Sequence, residues 1–493
     1  MKHVVVVGGG IAGLATANKL QALARAADTP IKLTLIEREP RLGGKILTER
    51  VDAPESDLAA GFVIEGGADS FMAYKPWAIA LCKELGLTDR LQGTNALQQK
   101  TYVIHRGRLH ELPQGLTGMI PTRFAPILQT SLLSWRGKLR MGLDLVRGPR
   151  PENGDESVAA FISRRLGSEV YERLIEPLMG GIYAADATQL SLAATFPQLR
   201  QLELQHGGLI KGSLARRAQL QSNGNQATNG AHASRANRSV FLTPFSGMGE
   251  IVQKLVKHLA NTTLLTDTTV QHLEPADDGF IVRLAAAESI KAHAVILATP
   301  AFATAKLLQS FDKELAATLS EIAYVSTATV SLAFLQAQVP RPLDGYGYVI
   351  PRAEGGDLLA CTWTSNKFPH RAPPGYVLLR AYVGRAGRQA ALESDDQALL
   401  QLVRDELERT LGITTEPLFH RIYRWLQAMP QYTLGHPERL TRIDHRVAAH
   451  AGLFVAGAAY RGVGIPDCIN SGEQAASAAM RYIYLETVGT PTL

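Results

Sequence analysis

The stretch KHVVVVGGGIAGLATANKLQALA, residues 2 to 24, permits very few folds. Four consecutive valines make the β-branched run of a strand buried on both faces, and such strands belong to parallel sheets covered by helices. The run passes directly into Gly8, Gly10 and Gly13 and then into a helix-forming segment that begins near Ile11. A strand that feeds a helix through so tight a turn commits the chain to a β-α-β unit, and IKLTLIE supplies the returning strand.

The glycine spacing is G-x-G-x-x-G, and each position has its own physical task. Gly8 permits the turn, Gly10 lets a pyrophosphate approach the backbone, and Gly13 lets the helix pack closely on the strand. Gly9, Ile11 and Ala12 share the turn, where free N–H groups and the positive end of the helix dipole face an anion. Glu37 ends the second strand 24 residues after Gly13, where its carboxylate can accept hydrogen bonds from an adenosine ribose. Arg38 beside it is an ambiguous neighbour. Strand, turn, helix, strand and acid in this order predict a dinucleotide site, with a purely structural β-α-β unit as the alternative.

Two further turns bear on which dinucleotide is bound. REPRLGGKILTE places Gly43, Gly44 and Lys45 a few residues past the acid, and FVIEGGADSF adds the turn Gly66, Gly67, Ala68, Asp69 and Ser70. The progression resembles the flavin amine oxidase superfamily, in which FAD lies extended through the domain; an NAD enzyme needs neither turn.

The length, 493 residues, suggests two or three domains, and 46% hydrophobic with 19% charged residues is a globular composition. No apolar window reaches 18 residues, so no membrane-spanning helix is expected. The chain opens on a strand, with no room for a secretory leader, and is expected to be made and kept in the cytoplasm. Cys82, Cys361 and Cys468 are far apart and form no disulfide or metal framework, so they are expected to be small buried hydrophobes. A net charge of +6 does not mark a nucleic-acid binder. The basic stretches RRLGSEVYER and SLLSWRGKLR are suited to an anionic small molecule or a lipid surface, with a solvated helix face as the bland reading.

The predicted architecture is α/β: a discontinuous Rossmann-like FAD-binding domain, a mixed-sheet substrate domain and a helical insertion. The FAD-binding domain is assigned to 1–90, 241–300 and 425–493, the helical insertion to 91–215, a flexible loop to 216–240, and the mixed α/β domain to 301–424. The loop assignment rests on a run of Asn, Gln, Ala, Ser and Gly without aromatics. STATVSLAFLQ, GYGYVIP, LLACTWTSN and YVLLRAYVG read as strands of the mixed sheet, and DDQALLQLVRDELERTLG as an amphipathic helix. The terminal segment LFVAGAAYRGVGIPDCINSGEQAASAAMRYI reads as strand, turn and small-residue helix returning to the first domain.

GADSFMAYKPWA, IEPLMGGIYAADATQLSLAATFPQL, ACTWTSNKFPHRAPPG, LLRAYVGRAG, RWLQAMPQYTLGH and GVGIPDCINSGEQAA, with the glycine fingerprint, resemble the porphyrinogen oxidases of heme synthesis over nearly the whole chain. ACTWTSNKFPH and MPQYTLGH are similar to the soluble type of Gram-positive bacteria, which oxidises coproporphyrinogen III; membrane-associated relatives act on protoporphyrinogen IX. The resemblance implies diphosphate contacts at Gly8 to Gly13, a ribose contact at Glu37, and flavin-side turns at Gly44, Lys45 and Gly66 to Ser70. It implies that Val270 meets the adenine and that Trp425, Val463, Gly464 and Ile465 flank the isoalloxazine. Where other flavin families carry an acid after the last strand, this chain has GAAY, so no acidic ribitol contact is assigned there.

The implied reaction removes six electrons and six protons from a tetrapyrrole, with O2 as oxidant and H2O2 as product. No Ser-His-Asp set, metal cluster or acid/base pair stands at informative spacing, so no catalytic base is assigned. Lys75 is the first candidate for a substrate carboxylate, and Arg41 and Arg461 are weaker ones. Peripheral membrane contact and transient contact with other heme-pathway enzymes remain open, with protoporphyrinogen IX as alternative substrate. The rivals are an amine oxidase, using Trp425, Tyr432 and Tyr460 as an aromatic cage, and a flavoprotein that binds without turnover.

Overall fold

The structure is a computed structural model describing residues 1–53, 61–113, 116–117, 120–121, 124–151, 154–224, 239–285 and 287–488. The valine run forms the strand Lys2–Val7 at the centre of a five-stranded parallel sheet. Across the sheet the order is Thr263–Leu265, Ile31–Ile36, Lys2–Val7, Ala294–Leu297 and Leu453–Val455. Val4 and Val6 face one core and Val5 and Val7 another, which is why four valines follow one another without a polar residue between them.

The opening helix Ile11–Ala26 and the closing helix Ile465–Val488 share one face of this sheet, with Leu14, Ala17 and Leu20 packed in a core with Ala476, Ala479 and Ile483. They meet at backbone distance: Thr16 Oγ1 donates to the Gly472 carbonyl at 3.2 Å, and a Cβ on Gly472 would overlap the Ala12 carbonyl oxygen. The small-residue composition of the closing helix is thus a packing requirement. The other face is covered by the antiparallel strands Val270–Ala276, Gly279–Leu284 and Ser289–Ala292 and the helices Ala301–Leu308 and Lys313–Ser320.

A second, mixed sheet has seven strands in the order Phe419–Pro430, Tyr324–Leu335, Tyr376–Val383, Leu358–Trp363, Gly345–Val349, Lys100–His105 and Arg108–Glu111. The amphipathic helix Asp396–Leu411 lies on it through Leu399, Val403, Leu407 and Leu411, one residue per turn on one stripe. Its start is capped by Asp395, whose carboxylate accepts the Ala398 N–H at 2.8 Å, and Gly412 in the left-handed region ends it.

Four expected boundaries move. Residues 91–111 are not helical: Lys100–His105 and Arg108–Glu111 form a hairpin closed by Arg106 and Gly107 with φ of 53° and 72°. Two consecutive positive φ values make the two-residue turn that matches strand twist, and the alternation in TYVIHRGRLHE was its signal. The helical part proper runs through Trp135–Gly142, Val158–Leu166, Glu176–Tyr183, Pro197–His206 and Leu209–Gly224. The expected loop 216–240 therefore begins inside a helix, and its part 225–238 lies outside the described residues. At the other end the mixed sheet starts at Tyr324 rather than 301, and its edge strand Phe419–Pro430 runs through residue 425. Trp425 thereby belongs to the mixed sheet.

Candidate functional site

The site begins where the strand Lys2–Val7 ends. Gly8 has φ 107° and donates its N–H to the Ile36 carbonyl at 2.7 Å. A Cβ on Gly8 would stand 2.8 Å from the Ala298 carbonyl oxygen, and one on Gly13 would overlap the Gly8 carbonyl. Around Gly10, by contrast, no atom lies within 4 Å of a Cβ position. Two glycines answer to close protein backbone, and the middle one opens onto space. Gly10 is also the N-cap of the opening helix, with no side-chain cap and no acid in the first turn, so the N–H groups of Ile11 and Ala12 are left for a ligand.

Glu37 stands beside this turn. Its Oε2 accepts the Gly9 N–H at 2.6 Å and its Oε1 the Glu39 N–H at 2.9 Å, leaving further lone pairs on both oxygens. Arg38 points away and pairs with Glu39 on the surface. Thr268 N–H donates to the Glu37 carbonyl at 2.9 Å, which brings Val270 two residues further along to the same end of the sheet.

The second glycine turn is tied to the first, since Gly43 N–H donates to the Gly9 carbonyl at 2.8 Å. Arg41 braces it, donating to the Gly44 and Ile46 carbonyls at 2.5 and 3.2 Å. That occupation makes Arg41 a structural residue and removes it as a substrate contact. Lys45 donates to the Ala428 carbonyl, and desolvation holds its ammonium below the ordinary lysine range although the side chain keeps accessible surface. Lys45 thus stands among protein atoms at the cleft side of this turn while keeping accessible surface.

The third turn closes the same cleft. The Gly66 carbonyl accepts from Trp425 Nε1 and from Thr329 Oγ1, both at 2.8 Å, and the Gly67 carbonyl accepts from Arg380. A Cβ on Gly67 would overlap the Lys45 carbonyl and stand 3.6 Å from Trp425 Cζ2, so these residues form one wall. Asp69 accepts from Ser70 Oγ at 2.6 Å and from Lys367 Nζ at 2.9 Å. Desolvation raises its pKa, but Lys367 and Arg380 outweigh that and hold the carboxyl well below its usual range.

Behind the turn lies a charge cluster that the sequence did not announce. Glu65 is buried against Arg371 at 3.0 Å, and accepts from Thr48 Oγ1 at 2.6 Å and from the Met248 N–H at 2.8 Å. Among the described residues Lys367 pairs with Asp69 and Arg371 with Glu65, while Arg380 donates to the Gly67 carbonyl, an excess of one positive charge against the backbone of Gly66 and Gly67. No local signal pairs Glu65 with Arg371 across three hundred residues of chain.

The far wall is the start of the closing helix. Tyr432 pins the loop before it, donating to the Ala458 carbonyl at 2.6 Å and accepting the Gly462 N–H at 2.7 Å. His436 stacks on Tyr432 at 4.1 Å and bonds the Tyr460 carbonyl through Nε2 at 3.0 Å. Tyr432 and Tyr460 are each 3% exposed, so they and Trp425 do not form an amine cage. Val463, Gly464 and Ile465 lead into the helix. The glycines here serve Asp467: a Cβ on Gly464 would be 3.0 Å from its Oδ2, and one on Gly462 would overlap the carboxyl group. Asp467 in turn holds Lys75, whose Nζ lies 2.7 and 2.6 Å from its two oxygens. Cys468 is buried beside Lys45 and its thiol is pushed up to about 12, which disqualifies it as a nucleophile. Arg461 is exposed and paired with Asp444 on the surface, whereas Lys75 is paired with Asp467 at the start of the closing helix.

His436 carries a pH prediction. Burial lowers its pKa to about 4, so between the unfolded value and 4 the unfolded state binds more protons and stability falls with falling pH. From pH 7 to pH 5 this costs about 2 kcal/mol. His370, lowered to about 4 by the same burial, adds to the loss, so chemical denaturation at the two pH values should show at least that much, and His436→Asn should reduce the slope without abolishing it; an unchanged slope would refute the assignment.

A glycine turn with an open middle glycine at the carboxyl end of the central strand, an acid at the end of the second strand, and two further glycine turns packed beside it are the features of a dinucleotide-dependent oxidoreductase. Residues 11–480 match the model of the flavin containing amine oxidoreductases. The chain belongs to that family, and its cofactor is FAD. It is 38% identical to the coproporphyrinogen III oxidase of Bacillus subtilis over 98% of this chain and 99% of that one. It is 31% identical to the protoporphyrinogen oxidase of Homo sapiens over 97% and 98%. A crystal structure from Exiguobacterium sp. 255-15, assigned to protoporphyrinogen oxidase, superposes with a TM-score of 0.83 at 31% identity, covering 98% of this chain and 99% of that one.

Proposed function

We propose that this chain oxidises coproporphyrinogen III to coproporphyrin III in heme synthesis, in the cytoplasm, with O2 as terminal oxidant. The observation that carries the reading is the near full-length similarity to coproporphyrinogen III oxidases, which exceeds that to protoporphyrinogen oxidases. Three free, buried cysteines suit a reducing compartment. Bound FAD supplies a two-electron acceptor, and three such transfers, each balanced by one O2 reduced to H2O2, account for the six electrons and six protons lost by the macrocycle.

The chain's own residues then divide the work. The N–H groups of Ile11 and Ala12 at the helix start, reached across Gly10, bind the diphosphate, Glu37 accepts from the ribose, and Val270 offers its backbone to the adenine. Gly44, Lys45 and the Gly66–Ser70 turn, backed by Lys367 and Arg380, hold the flavin end in an electropositive setting that favours negative charge on the reduced ring. Trp425 and the Val463–Ile465 segment wall the reacting face and exclude water. Lys75 sits at the cleft on Asp467, from which its ammonium can turn to a propionate.

The test is a substrate comparison with purified holoenzyme. Coproporphyrinogen III carries two more carboxylates than protoporphyrinogen IX, so kcat/KM should favour it by at least about tenfold, the worth of one charge-assisted hydrogen bond. One H2O2 should appear per electron pair. Peroxide formed only with polyamines would overturn the reading in favour of an amine oxidase. Flavin left unbleached by anaerobic porphyrinogen would favour a binding protein without turnover.

A further inference from the structure

The turn Gly66–Ser70 has bound carbonyls and unbound N–H groups. The Gly66 carbonyl accepts from Trp425 and Thr329 and the Gly67 carbonyl from Arg380, whereas the N–H groups of Gly67, Ala68 and Asp69 find no protein acceptor among the described residues. Successive backbone N–H groups left over in this way form a receptor for negative charge.

The side chains behind the turn have the same bias. Arg371 is matched by Glu65 at 3.0 Å and Lys367 by Asp69 at 2.9 Å. Arg380 has no such partner. It projects from the strand Tyr376–Val383, is 3% exposed, makes no ion pair among the described residues, and its Nε has no acceptor. What it touches is neutral: the Gly67 carbonyl, and the ring of Tyr382, 4.9 Å from its guanidinium carbon. Glu65 and Asp69 feel its charge, but each has a nearer cation. A guanidinium taken out of water without a counter-ion destabilises a fold. The cluster is therefore balanced only when something anionic joins it at this turn.

We infer that Arg380 supplies the positive charge that sets the reduction potential of the bound flavin, the negative charge gained by FAD on reduction being its missing counter-charge. The inference rests on the placement of the flavin end at this turn. Arg380 is a positioning residue here: it acts through the Gly67 carbonyl and through its field, which is strong in a site from which water is excluded.

The test is the reduction potential of the holoenzyme together with a sulfite titration, neither of which uses a porphyrinogen. Sulfite adds to oxidised flavin and leaves a negative charge on the ring, so both measurements read the same field. Arg380→Met and Arg380→Gln should each lower the two-electron potential by about 30 mV or more, which is a tenfold change in the preference for reduced over oxidised FAD, and weaken sulfite binding about tenfold. Arg380→Gln keeps a donor for the Gly67 carbonyl, so agreement of the two variants assigns the effect to charge. Arg380→Lys keeps the charge and should hold both values near those of the unmodified protein. Far-UV circular dichroism is the control for folding. Potential and sulfite affinity unchanged in Arg380→Gln would overturn the inference, as would a raised KM for porphyrinogen at unchanged potential, which would make Arg380 a substrate contact. Lys45→Met on the neighbouring turn separates the two levels. An effect there without one at Arg380 refutes the role of Arg380 alone, and no effect at either refutes the placement of the flavin.

Discussion

Gly10→Val is expected to yield a folded protein that purifies without its yellow colour. Gly10 has φ −70° and ψ 178°, a conformation open to any residue, and no protein atom lies within 4 Å of the added Cβ. The substitution therefore costs the fold little. It fills the space through which a pyrophosphate must reach the N–H groups of the opening helix, and FAD affinity should fall by at least about a hundredfold. Absorbance of the purified variant and FAD titration of the apoprotein measure this, with far-UV circular dichroism as the control for folding. Gly13→Ala should behave differently, because its methyl would overlap the Gly8 carbonyl oxygen and part strand from helix. Full flavin content in Gly10→Val would place the phosphates elsewhere.

Arg371→Met should be the most destabilising single change near the site. Arg371 is 0% exposed, lies 3.0 Å from Glu65 and donates to Thr243 Oγ1 at 2.6 Å. Removing the guanidinium leaves the buried Glu65 carboxylate without its direct ion pair, held by Thr48 Oγ1 and the Met248 N–H with Arg380 as remaining positive neighbour, and breaking such a buried pair costs about 3–5 kcal/mol. Glu65 directly precedes Gly66, so the Gly66–Ser70 turn should loosen with it. Glu65→Gln added to Arg371→Met removes the stranded charge and should restore most of the loss. Denaturant unfolding of apoprotein and holoenzyme reports both effects; a loss below about 1 kcal/mol would mean that water reaches Glu65.

These two residues also mark what could be read from the chain and what could not. The turn around Gly10 was legible because its constraint is local: strand, turn and helix lie within a dozen residues, and a Cβ on Gly8 or Gly13 would meet backbone atoms. The amphipathic helix at Asp396–Leu411 and the long strands of the mixed sheet were legible for the same reason, since periodicity and caps are properties of one segment. The hairpin at Arg106–Gly107 was missed although its signal was present, because apolar spacing in the helices that follow dominated the reading of 91–215. Arg41, Arg461 and Lys75 looked alike as isolated cations. Only their partners separate them: backbone carbonyls for Arg41, a surface aspartate for Arg461, and Asp467 at the cleft for Lys75.

By itself the sequence determined that this chain would build a parallel sheet with a glycine turn after its first strand, that the cofactor would be FAD, and that strand, turn and helix at the carboxyl end would return to the same sheet. Each follows from sterics or hydrogen-bonding capacity within a short window. The tertiary structure alone decided which charges meet. Glu65 with Arg371, Asp69 with Lys367 and Asp467 with Lys75 are joined across hundreds of residues, and the arginines of RRLGSEVYER turn inward while those of SLLSWRGKLR stay out. A charge is fixed by what lies within a few ångströms in space, and one-dimensional spacing carries no such distance.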